Sequence, residues 1–115
     1  MYFGDKKIPE ERKEKLCKLL QPLFTYHEII DRQERFEINN ESALEKASRE
    51  YSFLLAKEYH RKILKELDYQ PICEERETLR VIYDKMYKQL TLPVNEQDWT
   101  YDYLCLVNAC RKILN

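Results

Sequence analysis

The chain has 115 residues, of which 43% are hydrophobic and 36% are charged, and its 20 basic and 21 acidic residues leave a net charge of −1. This length predicts one domain, residues 1–115, with a modest core of its own. The apolar fraction and the low net charge exclude a disordered chain. The single glycine, Gly4, excludes glycine-rich phosphate loops, which need several glycines to bring backbone amides close to a phosphate.

The location of the protein is predicted from the signals that the sequence lacks. No run approaches the roughly 20 apolar residues that a membrane span needs, and the first residues do not form a secretory signal. We therefore expect an intracellular protein, in the cytoplasm or the nucleus, with no membrane association. Its four cysteines are expected to be reduced and to act mainly as small buried hydrophobes: Cys17, Cys73, Cys105 and Cys110.

Prolines and polar turns divide the chain into segments with helical periodicity. The first segment begins at Pro9, a residue that suits the first turn of a helix. Pro22 is expected to end or kink it, since proline has no amide proton and clashes with the preceding turn. The second segment then fades near Phe36. The predicted helices lie near residues 9–20, 22–36, 41–67, 71–90 and 96–114.

The third segment carries two apolar stripes on nearly opposite sides of the helix. Asn40 is a plausible N-cap for it. The stripe in its first half contains Leu44, Ala47, Tyr51, Leu54 and Leu55. The stripe toward its second half contains Phe53, Ala56, His60, Ile63, Leu64 and Leu67. Because an ordinary surface helix has one stripe, this helix is expected to pack against different neighbours at its two ends or to offer one stripe to another protein.

The fold class predicted from these patterns is all-α, a single-domain bundle of about five helices. The segment 71–90 has one clean stripe, and the segment 96–114 has a wide stripe containing Trp99 with further apolar residues on its back. Neither alternating strand patterns nor internal repeats occur. The predicted core comprises Leu44, Tyr51, Leu55, Leu79, Ile82, Met86, Trp99, Leu106 and Cys110.

No catalytic residue, metal site or cofactor is predicted. His27 and Asp31 are four residues apart and share a helical face, as two zinc ligands of a metalloprotease helix do, but no third ligand has recognisable spacing. The cysteines form no Cys-x-x-Cys pair. A small enzyme or metal-binding bundle centred on His27 or His60 is the less favoured alternative. A histidine that faces a polar cleft beside carboxylates or cysteines would favour it.

A basic ridge provides a second alternative. Lys57, Arg61 and Lys65 recur every four residues, and tyrosines lie nearby, as on surfaces that bind nucleic acid. A solvated helix face explains the same pattern, and no segment of the chain has the basic excess typical of nucleic-acid binding. A nucleic-acid-associated helical protein that uses these three residues is therefore an alternative hypothesis, but it is not the favoured one.

The favoured function is a non-enzymatic protein–protein interaction module, an adaptor or a small subunit of an intracellular complex. If the core uses the Leu44–Leu55 stripe and the Trp99 stripe, the remaining apolar patches need cover from a partner's helix or from self-association. The predicted partner-binding residues are Phe53, Ala56, His60, Leu64, Tyr101 and Leu104.

Overall fold

The fold is an all-α bundle, as the sequence predicts. A computed structural model describes residues 7–36, 40–68, 73–97 and 101–115. Within these ranges the secondary structure consists of five α-helices and one short 3-10 turn, and it contains no strand. The elements are α1 (Glu10–Arg35), α2 (Ala43–Glu58), α3 (His60–Leu67), α4 (Glu74–Thr91), the 3-10 turn (Val94–Glu96) and α5 (Tyr101–Leu114).

The predicted break at Pro22 is wrong, because α1 runs through it without interruption. Proline has no N–H for the carbonyl oxygen one turn earlier, and a proline inside a helix costs about 3 kcal/mol. Leu16, Leu20 and Leu23 are almost completely buried on either side of it. Burial of a leucine side chain stabilises by about 1.5–3 kcal/mol, so the packing of α1 offsets the missing hydrogen bond.

The predicted long helix over residues 41–67 is instead two helices that meet at Tyr59. The Tyr59 N–H donates to the Leu55 carbonyl, and the Ile63 N–H donates to the Tyr59 carbonyl, each at 2.9 Å. Both contacts have helical i→i−4 spacing, so backbone pairing continues across the junction of the two helices. At the other end, the Ser42 side chain caps α2 by accepting from the Glu45 N–H at 3.1 Å, a role that the sequence analysis gave to Asn40.

The core confirms the predicted burial of Leu79, Ile82 and Met86 on α4 and of Cys110 on α5. Leu55 and Leu106 are half-buried, and Trp99 lies outside the described residues. The predicted core positions Leu44 and Tyr51 are wrong, since both are exposed to solvent.

The reason for that error is the face that α2 turns toward α1. The fully buried residues of α2 are Ser52 and Ala56, and small side chains let two helices approach closely. The core then continues along α3 through Ile63 and Leu67. The second stripe of the sequence therefore supplies most of the packing, and the first stripe, apart from the half-buried Leu55, is left outside.

Helix α1 is the common support of the bundle, and it contacts α2, α3 and α5. The start of α1 is also tied to the start of α4, because Glu75 accepts from the Ile8 N–H at 2.9 Å and lies 3.3 Å from the Lys13 ammonium. The molecule is elongated, with extents of 55 × 26 × 22 Å. None of the helices in the described ranges combines the length and the apolar character that a bilayer crossing requires.

Candidate functional site

The predicted partner strip on the second half of the 41–67 segment is turned largely toward the interior. Ala56 is only 2% exposed, so it offers no surface to a partner. The half-buried Phe53 packs against the core, and its ring centroid lies 5.6 Å from that of Tyr26 on α1. Leu64 is the one residue of the strip that is exposed. The strip thus serves mainly as the attachment of α2 and α3 to the bundle.

The remaining predicted contact residues lie on α5. Leu104 is half-buried and lines a small cleft that also includes His27. Tyr101 begins α5, but its side chain is outside the described part of the structure. The prediction that Phe53 and Tyr101 jointly face a partner therefore stays a prediction.

A different apolar surface is exposed on the first half of the segment. Leu44 is 81% exposed, Tyr51 65% and Leu54 63%. Together with the exposed Ala47, they lie within about 80° of one another when α2 is projected at ~100° per residue. We call these four residues the α2 outer face.

The opposite side of α2 is more polar than this outer face. Arg49 forms two hydrogen bonds with Glu41, at 2.8 and 3.0 Å, and Glu45 pairs with Arg32 of α1. Gln33 of α1 also donates to Glu41, at 2.5 Å. The hydrogen bonds from Arg49 and Gln33 lower the pKa of Glu41 to about 2. Helix α2 is thus held to α1 by the Arg32–Glu45 ion pair, the Phe53–Tyr26 ring contact and its small buried side chains. Three of its large apolar side chains face solvent.

A cleft adjoins one end of the α2 outer face. It has a volume of about 430 Å³ and is bounded by the middle of α1 and the start of α2. Leu44 forms part of its wall, and Ile29 of α1 lies at its apolar side. Thr25, Glu28 and Arg32 add polar groups at the α1 side. The outer face therefore has a recess at one end that could receive an apolar side chain.

His27 is the histidine whose surroundings most resemble those of a reactive site. It lines a cleft of about 120 Å³ beside Glu28 and Asp31. Burial, and to a smaller extent the charge of Arg111, lower the pKa of His27 to about 4. Both carboxylates are ion-paired, Glu28 with Arg111 and Asp31 with Arg35.

The chemistry available at His27 is limited by that arrangement. The imidazole is neutral at physiological pH, so it cannot act as a charged general acid. The cleft is well below the 300–1,000 Å³ typical of ligand pockets. No group of three or more metal-ligating side chains occurs in the ranges that the structure describes. A histidine beside carboxylates is the feature that would favour an enzyme. Here the cleft is small and both carboxylates are occupied by ion pairs, so this site gives no further support for that alternative.

His60 contacts two tyrosines of α4. Its Nδ1 and the Tyr83 hydroxyl share a hydrogen bond of 2.7 Å, and its ring stacks on that of Tyr87. Burial lowers the pKa of His60, although the nearby Asp84 acts in the opposite direction. Burial also raises the pKa of the Tyr83 phenol. These three rings join the start of α3 to the middle of α4, which indicates a structural role.

The predicted basic ridge is divided by the break at Tyr59. Lys57 lies on α2, with its ammonium 5.0 Å from the centre of the Phe53 ring. Arg61 and Lys65 lie on α3, and Lys65 lines a cleft between α3 and α1. The three cations are thus distributed over two helices that meet at Tyr59. Use of these residues for nucleic-acid binding stays a prediction.

The α2 outer face was not predicted from the sequence, because two of its residues, Leu44 and Tyr51, belong to the predicted core. The residues on the opposite side of α2 could have indicated its orientation. Ser52 and Ala56 are small enough for close contact between helices, and Arg49 pairs with Glu41. A scan of the chain against protein-family models and searches among curated proteins and solved structures found no match.

Proposed function

We propose that this protein is a helical protein–protein interaction module whose docking surface is the α2 outer face. The observation that carries the proposal is the orientation of α2. Three of its five large apolar residues, Leu44, Tyr51 and Leu54, face solvent. Phe53 and Leu55 are half-buried, and its buried residues are the small Ser52 and Ala56. A helix that only had to complete the bundle would be expected to bury its large apolar side chains.

The energetic argument concerns clustering rather than exposure alone. Single exposed apolar residues are normal on protein surfaces, whereas contiguous apolar patches indicate interaction sites. Covering a large apolar side chain contributes about 1.5–3 kcal/mol. Three such side chains on one face, one of them a tyrosine, support this surface as the anchor of a partner. Tyrosine is favoured at such positions because it combines a large apolar area with a polar tip.

The partner that fits this surface is an amphipathic helix of another protein. Helix α2 has 16 residues, about 24 Å at 1.5 Å per residue, and it presents its apolar residues along one side. A partner helix lying beside α2 would place one apolar side chain in the cleft next to Leu44 and others against Tyr51 and Leu54. A second copy of the same chain is the competing occupant, and the experiment below separates the two.

The test uses a photo-reactive phenylalanine analogue at Tyr51 on the outer face. The matched control carries the same analogue at Val81, an exposed apolar residue on α4 that is 58% accessible and lies outside the outer face. Irradiation in the native cell should give a defined adduct from position 51 and not from position 81. That adduct should be lost when Leu44→Gln and Leu54→Gln are added.

Mass spectrometry of the adduct identifies the occupant. A heterologous protein cross-linked through an amphipathic helix supports the proposal. An adduct between two copies of this chain, together with dimerisation in sedimentation analysis, would identify a second copy of the chain as the occupant of this surface. Equal labelling from positions 51 and 81, or labelling that survives both glutamine substitutions, overturns the α2 outer face as a docking site.

A further inference from the structure

A second surface, distinct from the α2 outer face, lies between α1 and α3. It is an open cleft of about 760 Å³. Helix α1 contributes Arg12, Lys15 and Leu19, which are spaced so that they share one helical face. Helix α3 contributes Lys62, Lys65 and Glu66. Four cations and one carboxylate leave an excess of three positive charges among the lining residues, although the chain as a whole has a net charge of −1.

The single carboxylate fixes two of the cations. Glu66 is almost fully buried, and its two oxygens receive different partners, Arg12 at 2.5 Å and Lys15 at 3.2 Å. Burial alone would raise the pKa of Glu66, but the hydrogen bonds from Arg12 and Lys15 lower it below its usual value. Glu66 is therefore ionised at neutral pH and holds both cations at the edge of the cleft.

The other two cations are available at the opposite wall. Lys62 lies with its ammonium 5.3 Å from the centre of the Tyr59 ring, and both Lys62 and Lys65 are exposed. No ion pair of either lysine occurs among the described residues. The cleft therefore has two cations that are fixed in place and two that can move onto a ligand.

The chemistry of the cleft points to a ligand with both charge and an apolar part. The exposed lining is more apolar than polar, because Leu19 and the aliphatic stems of the basic side chains cover much of it. A simple anion would use the ammonium groups and leave this floor open to water. An acidic segment that also carries leucine-like side chains would use both.

A nucleic acid fits the same cleft less well. Nucleic-acid binding without sequence preference combines a basic groove with aromatic rings on which bases stack. No aromatic side chain is among the lining residues, and the neighbouring Tyr59 ring has the Lys62 ammonium over it. The cleft also spans only the eight residues of α3 on one side, which is short for a backbone-tracking groove.

We infer that the cleft between α1 and α3 binds an acidic, leucine-containing peptide segment of another protein. Carboxylates of the segment pair with Lys62 and Lys65, and an apolar side chain packs on Leu19. This inference does not depend on the proposed role of the α2 outer face, because the two surfaces share no residue.

The test measures binding of a short fluorescein-labelled peptide built from Glu-Glu-Leu units by fluorescence anisotropy. The variant is Lys62→Gln combined with Lys65→Gln. The matched control is Lys46→Gln combined with Lys85→Gln, which removes the same charge at exposed lysines outside the cleft. We expect about tenfold weaker binding for the cleft variant and less than about a twofold change for the control.

Three companion probes decide the class of ligand. A Gln-Gln-Leu peptide should not bind, and a Glu-Glu-Ser peptide should bind several-fold more weakly than the Glu-Glu-Leu peptide. A single-stranded oligonucleotide should bind more weakly than the acidic peptide at about 0.15 M salt, where long-range attraction is screened. Leu54→Gln on the α2 outer face should leave peptide affinity unchanged, which separates this site from the proposed docking surface.

Each opposite result overturns the inference. Equal losses in the two double variants would mean non-specific attraction to surface charge. Equal affinity for the Glu-Glu-Leu and Glu-Glu-Ser peptides would mean that Leu19 contributes nothing to recognition. Tighter binding of the oligonucleotide, lost in the cleft variant, would assign the cleft to nucleic acid instead. No detectable peptide binding at low salt would remove the site altogether.

Discussion

The imidazole of His60 lies flat on the phenol ring of Tyr87, with ring centroids 3.7 Å apart and planes inclined by 7°. His60 is the first residue of α3, and Tyr87 lies in the second half of α4. The Tyr83 ring is also close to His60, with centroids 5.7 Å apart. This contact joins α3 to α4 directly after the junction of α2 and α3 at Tyr59.

The stacking pair should show a measurable coupling energy. We expect His60→Ala and Tyr87→Ala each to lower the free energy of unfolding, and the double variant to lose less than the sum by about 1 kcal/mol. Urea denaturation of the four proteins in the cycle measures this. The control pair is His60→Ala with Val81→Ala, whose effects should add within about 0.5 kcal/mol. Additivity in the stacking pair would contradict a direct ring contact.

Protonation of His27 should destabilise the fold in mild acid. Its pKa is about 4 in the folded protein and about 6.5 in an unfolded chain. The unfolded state therefore binds more protons between these values, so stability is complete above about pH 6.5 and falls as the pH drops toward 4. We expect the free energy of unfolding to be about 2 kcal/mol lower at pH 5 than at pH 7.

The variant His27→Phe isolates that effect, since it keeps an aromatic ring against Tyr26 but cannot be protonated. Its stability should change much less between the two pH values than that of the unaltered protein. An NMR titration provides the direct measurement. A folded-state pKa of His27 near 6.5 would contradict the burial on which the prediction rests.

Substitutions in the two stripes of the 41–67 segment should change the free energy of unfolding by very different amounts. Leu54→Gln on α2 is expected to change the free energy of unfolding by no more than about 0.5 kcal/mol, because the side chain is exposed. Leu67→Ala on α3 should cost about 2–5 kcal/mol, because that side chain is fully buried. Chemical denaturation of the two variants gives the comparison. A larger loss of stability for Leu54→Gln than for Leu67→Ala would mean that the first stripe, and not the second, is part of the core.

The four cysteines should differ strongly in reactivity. Cys105 is exposed, Cys17 is intermediate, and Cys73 and Cys110 are buried. Burial raises the pKa of the Cys110 thiol to about 12, and the thiolate is the reactive form. Alkylation followed by mass spectrometry should therefore modify Cys105 first and Cys110 only after unfolding. Early modification of Cys110 would indicate that α5 detaches from α1 readily.

The all-α class and the packing of α4 could be predicted from the sequence because they depend on local pattern. Leu79, Ile82 and Met86 recur on one face, acidic residues fill the first turn, and no competing apolar face exists. For such a helix, the pattern determines which side is buried.

The orientation of α2 could not be predicted in that way. Its two stripes are similarly apolar, and the choice between them depends on the close approach to α1 at Ser52 and Ala56. The continuity of α1 through Pro22 could not be predicted for the same reason. Packing against distant segments outweighs the hydrogen bond lost at the proline. The basic cleft could not be predicted from the sequence either, because Arg12 and Glu66 are 54 residues apart in the chain and meet only in the fold.

The position of α1 has a consequence for how the protein is made. The Cys17 thiol donates to the Leu114 carbonyl at 3.6 Å across a sequence separation of 97 residues. Because α1 and α2 precede α5 in the chain, we expect α1 to pair with α2 during synthesis while the side of α1 that receives α5 stays open to water until α5 has also emerged. Large loop closures are slow relative to local helix pairing, so we expect docking of α5 to be a late step of folding. A nascent chain stalled before α5 would leave uncovered the side of α1 that carries Cys17 and Phe24, and exposed apolar surface of this kind is what chaperones bind.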